Sequence, residues 1–310
     1  MKQFYLVVLI ILAFSGTAQS QNTQEKCKLN VNDLILGKIK VNDALKKCKN
    51  DTLEVIVSIT NSINDSSTFE SYQTLNSAIL QLSKRTSNSV FQNNTINFYL
   101  KNLSNRNSSI ANQAINRLKK FSKSDFDSTS IKIIEQYINV NYTAYKDLIL
   151  LAGYVGNHRT SEKIKDVFPN GRNFSKPELW ATYIALARLG DESSIQYCKA
   201  RVESLPLNDQ VVDILYKDLV YTRKKTAYDL MVKSIYSDEK LCTSSNPNSD
   251  AKIICGYRVL ELVAPYIEKF PIKVLESGDL ATDNYPKALE IAREWFQNNK
   301  DSYIIVNENY

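Results

Sequence analysis

The sequence is poor in histidine: His158 is its single one among 310 residues. Sites that bind a metal ion through several imidazoles are therefore excluded. A nucleophile pair of the Ser-His or Cys-His type could use only this histidine. It lies in the polar stretch 156–160, which we interpret as a solvated turn.

Other catalytic motifs are also absent. The chain has no H-E-x-x-H, no C-x-x-C and, with 8 glycines, no Gly-rich phosphate loop. Glu276, Asp279 and Asp283 could bind Ca²⁺ or act as an acid/base pair. The ligand spacing of a calcium loop is missing, however, and Asp283 and Asn284 precede a predicted helix near Pro286, which favours helix capping. We expect no catalytic residue, no metal site and no cofactor.

Long apolar runs are confined to the start of the chain. A basic residue, Lys2, precedes the apolar run Phe4–Phe14, and small residues follow it. This order predicts a secretory signal peptide over residues 1–20, with cleavage after Ala18 or after Ser20. The run is too short to span a bilayer comfortably, and no later run predicts a transmembrane segment. We therefore expect a secreted or periplasmic protein.

Strong charge of one sign is lacking as well. Lys and Arg number 39 and Asp and Glu number 33, so the net charge is +6, which is weak for a chain of this length. The densest basic runs are 117–120 and 223–225. We interpret both as solvated helix faces and expect no nucleic-acid partner.

Five cysteines are present, and an exported chain favours disulfides. Cys27 and Cys48 bracket a short N-terminal segment, and Cys242 and Cys255 bracket a turn-rich stretch that contains Asn-Pro. These positions predict the pairs Cys27–Cys48 and Cys242–Cys255. Cys198 lies on the apolar stripe of a predicted helix and is expected to be a buried, unpaired thiol.

One stretch predicts a helical hairpin in some detail. Apolar residues recur at spacings of three and four over 178–189, as in an amphipathic helix. Ser175 and Glu178 form a capping box at its start. Gly190 ends it, because glycine enters the left-handed conformation at low cost. A second apolar stripe follows and stops at Pro206.

The same shape recurs along the chain. An apolar stripe, a short polar turn and a second apolar stripe are shared by the segments 78–100, 114–138, 148–168 and 182–202. Gly156 aligns with Gly190 at an offset of 34 residues, and Ser122 falls in the same register one period earlier. Self-similarity at such a period is typical of solenoids.

These units resemble HEAT repeats. The resemblance is carried by residues 185–194, more loosely by 150–160, and it extends over about 70–230. It implies an all-α protein built as a right-handed α-solenoid of antiparallel helix pairs, of the HEAT/armadillo-like kind. Tetratricopeptide arrays also have a 34-residue period, but their glycine lies inside the first helix. Gly156 and Gly190 are predicted at turns, which favours the HEAT-like alternative.

The predicted boundaries follow from this periodicity. Residues 21–50 form an N-terminal cap segment with two short helices, 51–300 form the repeat domain, and 301–310 form an extended C-terminal tail. Atypical ends are expected, because terminal units cover the open ends of the core. The stretch 52–60 fits a helix or a strand, and 269–286 is predicted as a loop between the last two helices.

The chain contains 18 tyrosines. Pairs such as Tyr142 and Tyr145, or Tyr216 and Tyr221, could line a concave recognition face, although core positions are favoured. We hypothesise a non-enzymatic, exported scaffold whose second helices form a groove for a protein or peptide partner. The alternative is a carboxylate-dependent hydrolase or carbohydrate-acting enzyme on an all-helical frame.

Overall fold

The computed structural model of the protein describes residues 31–36, 38–47, 52–62, 68–83, 88–139, 141–168, 174–244 and 251–310. The predicted signal peptide over 1–20 and the predicted Cys27–Cys48 pair lie outside these ranges.

Helices dominate the described ranges, which confirms the all-α prediction. Their bounds are α1 Val31–Ile35, α2 Val41–Lys47, α3 Thr52–Asn61, α4 Phe69–Ser83, α5 Ser89–Lys101, α6 Ser108–Leu118, α7 Ser128–Gln136, α8 Tyr145–Val155, α9 His158–Val167, α10 Lys176–Leu189, α11 Glu192–Glu203, α12 Lys217–Thr222, α13 Lys225–Ile235, α14 Cys255–Val263 and α15 Tyr285–Asn299.

Little other regular structure is present in the described ranges. A π-helical segment, Val211–Tyr216, runs directly into α12. Two short strands, β1 (Cys242–Thr243) and β2 (Lys252–Ile253), pair antiparallel, with Cys242 opposite Ile253. The stretch predicted as a loop between the last two helices separates α14 from α15.

The stretch that fits helix or strand by sequence is a helix. Val55, Ile56 and Ile59 of α3 are fully buried on one face. β-branched residues lose little stability in a helix when tertiary packing orders their side chains, so burial overrides their strand propensity here.

The caps of α10 are as predicted. Ser175 is its N-cap, and the Glu178 carboxylate accepts a hydrogen bond from the Ser175 main-chain nitrogen at 2.7 Å. Gly190 ends the helix in the left-handed conformation, at φ +95°. The polar turn after it is therefore the hinge of a helical hairpin, α10–α11.

Gly156, aligned with Gly190 by sequence, ends α8 in a different way. Its backbone is extended, with φ −72° and ψ −179°. A β carbon on Gly156 would lie 2.4 Å from the Ala152 main-chain oxygen and 2.7 Å from the Thr160 side chain. Glycine is needed here for space and not for a left-handed turn.

Many helices contact the helix that comes two places later in the chain. One series runs α4–α6–α8–α10–α12–α14, in which each helix contacts the next. Further contacts join α3 to α5, α5 to α7, α11 to α13 and α13 to α15. The buried apolar side chains form one continuous cluster from Val31 to Tyr303.

Candidate functional site

The last eight residues of the sequence run back over the helices without forming a helix of their own. We call residues 303–310 the return segment. Tyr303 anchors its start, since the ring is buried and the hydroxyl donates to Asp229 Oδ1 at 2.7 Å. Ile305 forms a β-bridge with Ile267, and the Val306 nitrogen donates to a main-chain oxygen just before that bridge. The segment thus starts beside the residues that follow α14.

Farther along, the main chain of the return segment is held by earlier parts of the protein. The Glu308 main-chain oxygen accepts hydrogen bonds from the Tyr154 hydroxyl at 2.7 Å and from the Lys123 main-chain nitrogen at 3.1 Å. The Tyr154 hydroxyl also lies 2.8 Å from the Phe121 main-chain oxygen. These contacts join residues near the end of the sequence to the loop after α6 and to α8.

Two arginines hold the next main-chain oxygens. Arg188 Nη2 donates to the Asn309 oxygen at 3.0 Å, and to the Asn307 side chain at 3.3 Å. Arg223 Nη2 donates to the Tyr310 main-chain oxygen at 3.2 Å. Three successive main-chain oxygens of the return segment therefore accept hydrogen bonds from the surface beneath it.

We call that surface the groove and define it by Lys123, Tyr154, Arg188, Tyr221 and Arg223. Its members lie at the C-terminal ends of α8, α10 and α12 and at the start of a short 3-10 helix, Lys123–Asp125, that follows α6. The last carbonyl groups of a helix lack intrahelical donors, so cationic side chains are favourable at this end.

Two contacts in the groove follow that rule. Arg188 Nη1 donates to the Tyr221 oxygen at 2.6 Å, and Lys123 Nζ donates to the Gly156 oxygen at 3.3 Å. Each side chain thereby satisfies a carbonyl at the end of the next helix in the stack.

The Tyr310 ring fills an aromatic site in the groove. Its centroid lies 5.5 Å from that of Tyr154 in an edge arrangement and 5.2 Å from that of Tyr221. Lys119 Nζ lies 4.8 Å from the same ring, in cation–π contact. Burial raises the pKa of Tyr154 to about 12, so its hydroxyl stays protonated and donates its proton.

Arg188 carries a buried charge among neutral partners. The residue is 5% exposed, and its guanidinium lies 4.8 Å from the Tyr154 ring and 4.5 Å from the Tyr221 ring. Burial lowers the pKa of Arg188. Among the described residues, its hydrogen-bonding partners are amide-type oxygens and not carboxylates. The positive charge is therefore not neutralised locally by an ion pair.

A pocket of about 540 Å³ opens beside the return segment. Lys123, Arg188 and Lys224 line it, together with Asn307 and Glu308 of the segment. Burial lowers the pKa of both lysines, and the nearby Arg188 charge lowers each further. We call this the basic pocket.

The basic run 223–225 is not the solvated helix face that the sequence predicted. Arg223 is 7% exposed and ends α12 in a left-handed conformation, at φ 55°. Its guanidinium lies 3.6 Å from the centroid of the Tyr266 ring. The prediction was wrong because the contacts that bury Arg223 come from residues far away in the sequence.

The predicted cysteine chemistry is confirmed where it is described. Cys242 and Cys255 form a disulfide, with Cα atoms 5.0 Å apart. Cys198 is a free, buried cysteine, and burial raises the pKa of its thiol to about 12. The pair Cys27–Cys48 lies outside the described residues and stays a prediction.

The remaining candidate residues do not converge. His158 is exposed and is the first residue of α9 rather than part of a loop. Glu276, Asp279 and Asp283 are exposed between α14 and α15. Asn284 caps α15 by accepting from the Lys287 nitrogen at 3.0 Å, as the capping interpretation expected. No cluster of three or more His, Cys, Asp or Glu suited to a metal ion occurs within the described ranges.

Two carboxyls with buried character lie elsewhere. Glu135 is 6% exposed and accepts a hydrogen bond from the Thr160 hydroxyl at 2.8 Å. Burial raises the pKa of Asp218, and its Oδ2 accepts a hydrogen bond from Trp180 Nε1 at 2.6 Å. This hydrogen bond joins α10 to α12, and it gives Asp218 a structural role.

The tyrosines singled out by sequence mostly belong to the core. Tyr145, Tyr216 and Tyr221 are buried, and Tyr142 is partly buried against the same cluster. Tyr221 also lines the groove. Sequence reasoning missed Tyr154, although it occupies the last turn of its helix as Arg188 and Tyr221 do in theirs.

Comparison of the sequence with protein-family models, with curated proteins and with solved structures finds no match. In the described part of the chain, no helix combines the length and the apolar character that crossing a membrane requires.

Proposed function

We propose that the protein is an exported, non-enzymatic scaffold that binds an extended peptide segment of a protein partner in the groove. The observation that carries this proposal is the return segment itself. The groove binds its main chain through three successive oxygens, those of Glu308, Asn309 and Tyr310. Main-chain oxygens are common to all peptides, so these donors suit a peptide from another protein equally well.

The proposed architecture is a right-handed α-solenoid of HEAT-like helix pairs. It is supported by the packing order, in which each even-numbered helix from α4 to α12 contacts the next even-numbered one. Such stacking builds one elongated surface from equivalent positions of successive units. The groove consists of helix ends, and not of the second-helix faces suggested by sequence alone.

The proposed location is extracytoplasmic, either secreted or periplasmic. The apolar run after Lys2 supports export. The Cys242–Cys255 disulfide supports it independently, since such bonds persist in oxidising compartments.

The test uses the full chain in two forms, intact and with the double substitution Glu308→Gly/Tyr310→Gly. The substitutions keep the main-chain oxygens but remove the two side chains that contact the pocket and the aromatic site, so we expect the segment to be held less tightly, and we call this form the released variant. A fluorescein-labelled peptide with the sequence of residues 302–310 is titrated with each form and followed by fluorescence anisotropy. A tethered segment competes at an effective concentration in the millimolar range. We therefore expect the released variant to bind the peptide about tenfold or more tightly than the intact chain does.

A matched pair of further substitutions shows where the peptide binds. Tyr154→Phe in the released variant removes one hydroxyl donor and should weaken binding about fivefold. Tyr197→Phe removes the hydroxyl of an exposed tyrosine outside the groove and should leave binding unchanged. A released variant that keeps its helical circular dichroism but binds no peptide would contradict the proposed function.

A further inference from the structure

We infer that the basic pocket selects an acidic side chain, so that the partner of this groove is an extended acidic peptide with an aromatic residue shortly after the acid. This inference rests on the proposed function and deepens it, because it assigns a chemistry to the side chains of the partner and not only to its main chain.

The first support is the charge of the pocket. Lys123, Arg188 and Lys224 all line it, and none forms an ion pair with a carboxylate among the described residues. Lys224 Nζ lies beside Gly190, 3.6 Å from the position of a β carbon there, and its ammonium has no hydrogen-bonding partner within the described ranges.

Some basic side chains elsewhere in the chain do have acidic partners. Lys119 pairs with Asp147 at 2.7 Å, and Lys165 pairs with Asp191 at 2.9 Å. Arg258 bonds to a carboxylate as well. Within the described ranges, none of the three cations of the basic pocket has such an ion pair, and the acid that lines the pocket beside them is Glu308 of the return segment.

The second support is electrostatic cost. Positive charges that are partly buried together repel one another and lose hydration. Accordingly, burial lowers the pKa of Lys224, and the charges of Lys123 and Arg188 lower it further. A carboxylate that enters the pocket relieves this repulsion and forms charge-assisted hydrogen bonds with ammonium groups.

The third support is the segment that occupies the groove in the structure. Glu308 lines the same pocket, and its charge raises the pKa of Lys123 against the effect of burial. Tyr310, two residues later, places its ring against Tyr154 and Tyr221. One peptide therefore reaches both the basic pocket and the aromatic site with this spacing.

Pocket size is compatible with this occupant. A volume of about 540 Å³ accommodates an acidic side chain with its first hydration shell, and Asn307 and Glu308 of the return segment form part of its wall. Water that remains in the pocket can bridge charges, at an entropic cost for each ordered molecule.

The experiment compares two labelled peptides on the released variant of the full chain. One has the sequence of residues 302–310, and the other carries glutamine in place of the Glu308 equivalent. We expect the acidic peptide to bind about fivefold more tightly in about 50 mM salt. The difference should shrink in about 300 mM salt, because screening acts on the charged pair and not on the shared main-chain bonds.

Substitutions in the protein locate the effect. Lys123→Met combined with Lys224→Met should abolish the preference for the acidic peptide, so that the ratio of the two affinities approaches one, whatever happens to the affinity that both peptides share. Lys120→Met removes the same kind of charge from an exposed position on the neighbouring turn and should leave the preference intact. Equal affinities for the two peptides, or a preference that survives the double lysine substitution, would overturn the inference while leaving the proposed function standing.

Two further outcomes separate the alternatives. Failure of both peptides to bind the folded released variant removes the proposed function, and the inference falls with it. A single-stranded oligonucleotide that binds more tightly than the acidic peptide would overturn the inference in favour of a polyphosphate ligand.

Discussion

Gly153 of α8 lies directly against Ala185 of α10. A β carbon on Gly153 would be 2.8 Å from both the Cα and the Cβ atom of Ala185, and 2.8 Å from the Tyr221 hydroxyl oxygen. That hydroxyl donates to the Leu150 main-chain oxygen in the same helix as Gly153. The absence of a side chain at one position thus sets the distance between two helices of the stack and gives Tyr221 access to a carbonyl.

The first prediction concerns this contact. Gly153→Val should lower the free energy of unfolding by about 2–3 kcal/mol, because the added methyl groups meet backbone atoms that cannot move aside. Ala200→Val is the control, since Ala200 is exposed on α11 and the change should cost only about 0.7 kcal/mol of helix propensity. Urea unfolding followed by circular dichroism measures both. Equal effects would show that α8 and α10 are less closely packed than described.

The second prediction concerns the cysteines. Replacing Cys242 and Cys255 together by alanine should lower the free energy of unfolding by about 3 kcal/mol, because the disulfide restricts the unfolded chain. Cys198 should resist thiol reagents in the native protein, since a buried thiol with a raised pKa is seldom a thiolate. Peptide mapping after labelling identifies the modified residue. Rapid modification of Cys198 under native conditions would contradict its burial.

The third prediction concerns pH and the N-cap of α11. Partial burial opposes ionisation of Asp191, but hydrogen bonds from the Ser194 and Ser193 hydroxyls and from Lys165 outweigh it and hold the pKa well below its usual range. A pKa that is lower in the folded than in the unfolded chain stabilises the fold. This stabilisation is fully present above the pKa of the unfolded chain, near pH 4, and it is lost as the pH falls through the pKa of the folded chain.

Two substitutions at Asp191 separate charge from capping. Asp191→Ala should cost about 1 kcal/mol at neutral pH through loss of the cap. Asp191→Asn keeps a capping oxygen, so it should cost less at neutral pH, and its deficit relative to the native chain should vanish on acidification. Thermal unfolding at several pH values measures this. A deficit of the asparagine variant that stays constant down to strongly acidic pH would exclude the charge as its cause.

The features that could be predicted from the sequence are those that depend on residues close together in the chain. The capping box at Ser175 and the glycine at 190 fixed the ends of α10, because both act through neighbours within four residues. The Cys242–Cys255 pair was also predictable, since a short turn-rich loop brings its ends together.

Long-range contacts explain what was missed. The burial of Arg223 depends on Tyr310, which is 87 residues away, and on a tyrosine beyond α14. The local sequence of a basic run is the same whether the run is exposed to solvent or covered by a distant segment of the chain. The candidate groove was therefore not predictable from sequence periodicity, which reports only the side of a helix that packs inward.

The return segment also affects the cooperativity of unfolding. In a stack where helices contact only near neighbours in sequence, ends can fray independently and unfolding is only weakly cooperative. The bond between the Tyr154 hydroxyl and the Glu308 oxygen spans 154 residues of sequence. Such a bond raises the contact order of an otherwise local fold and couples the melting of α15 to that of α8, at the cost of slower folding.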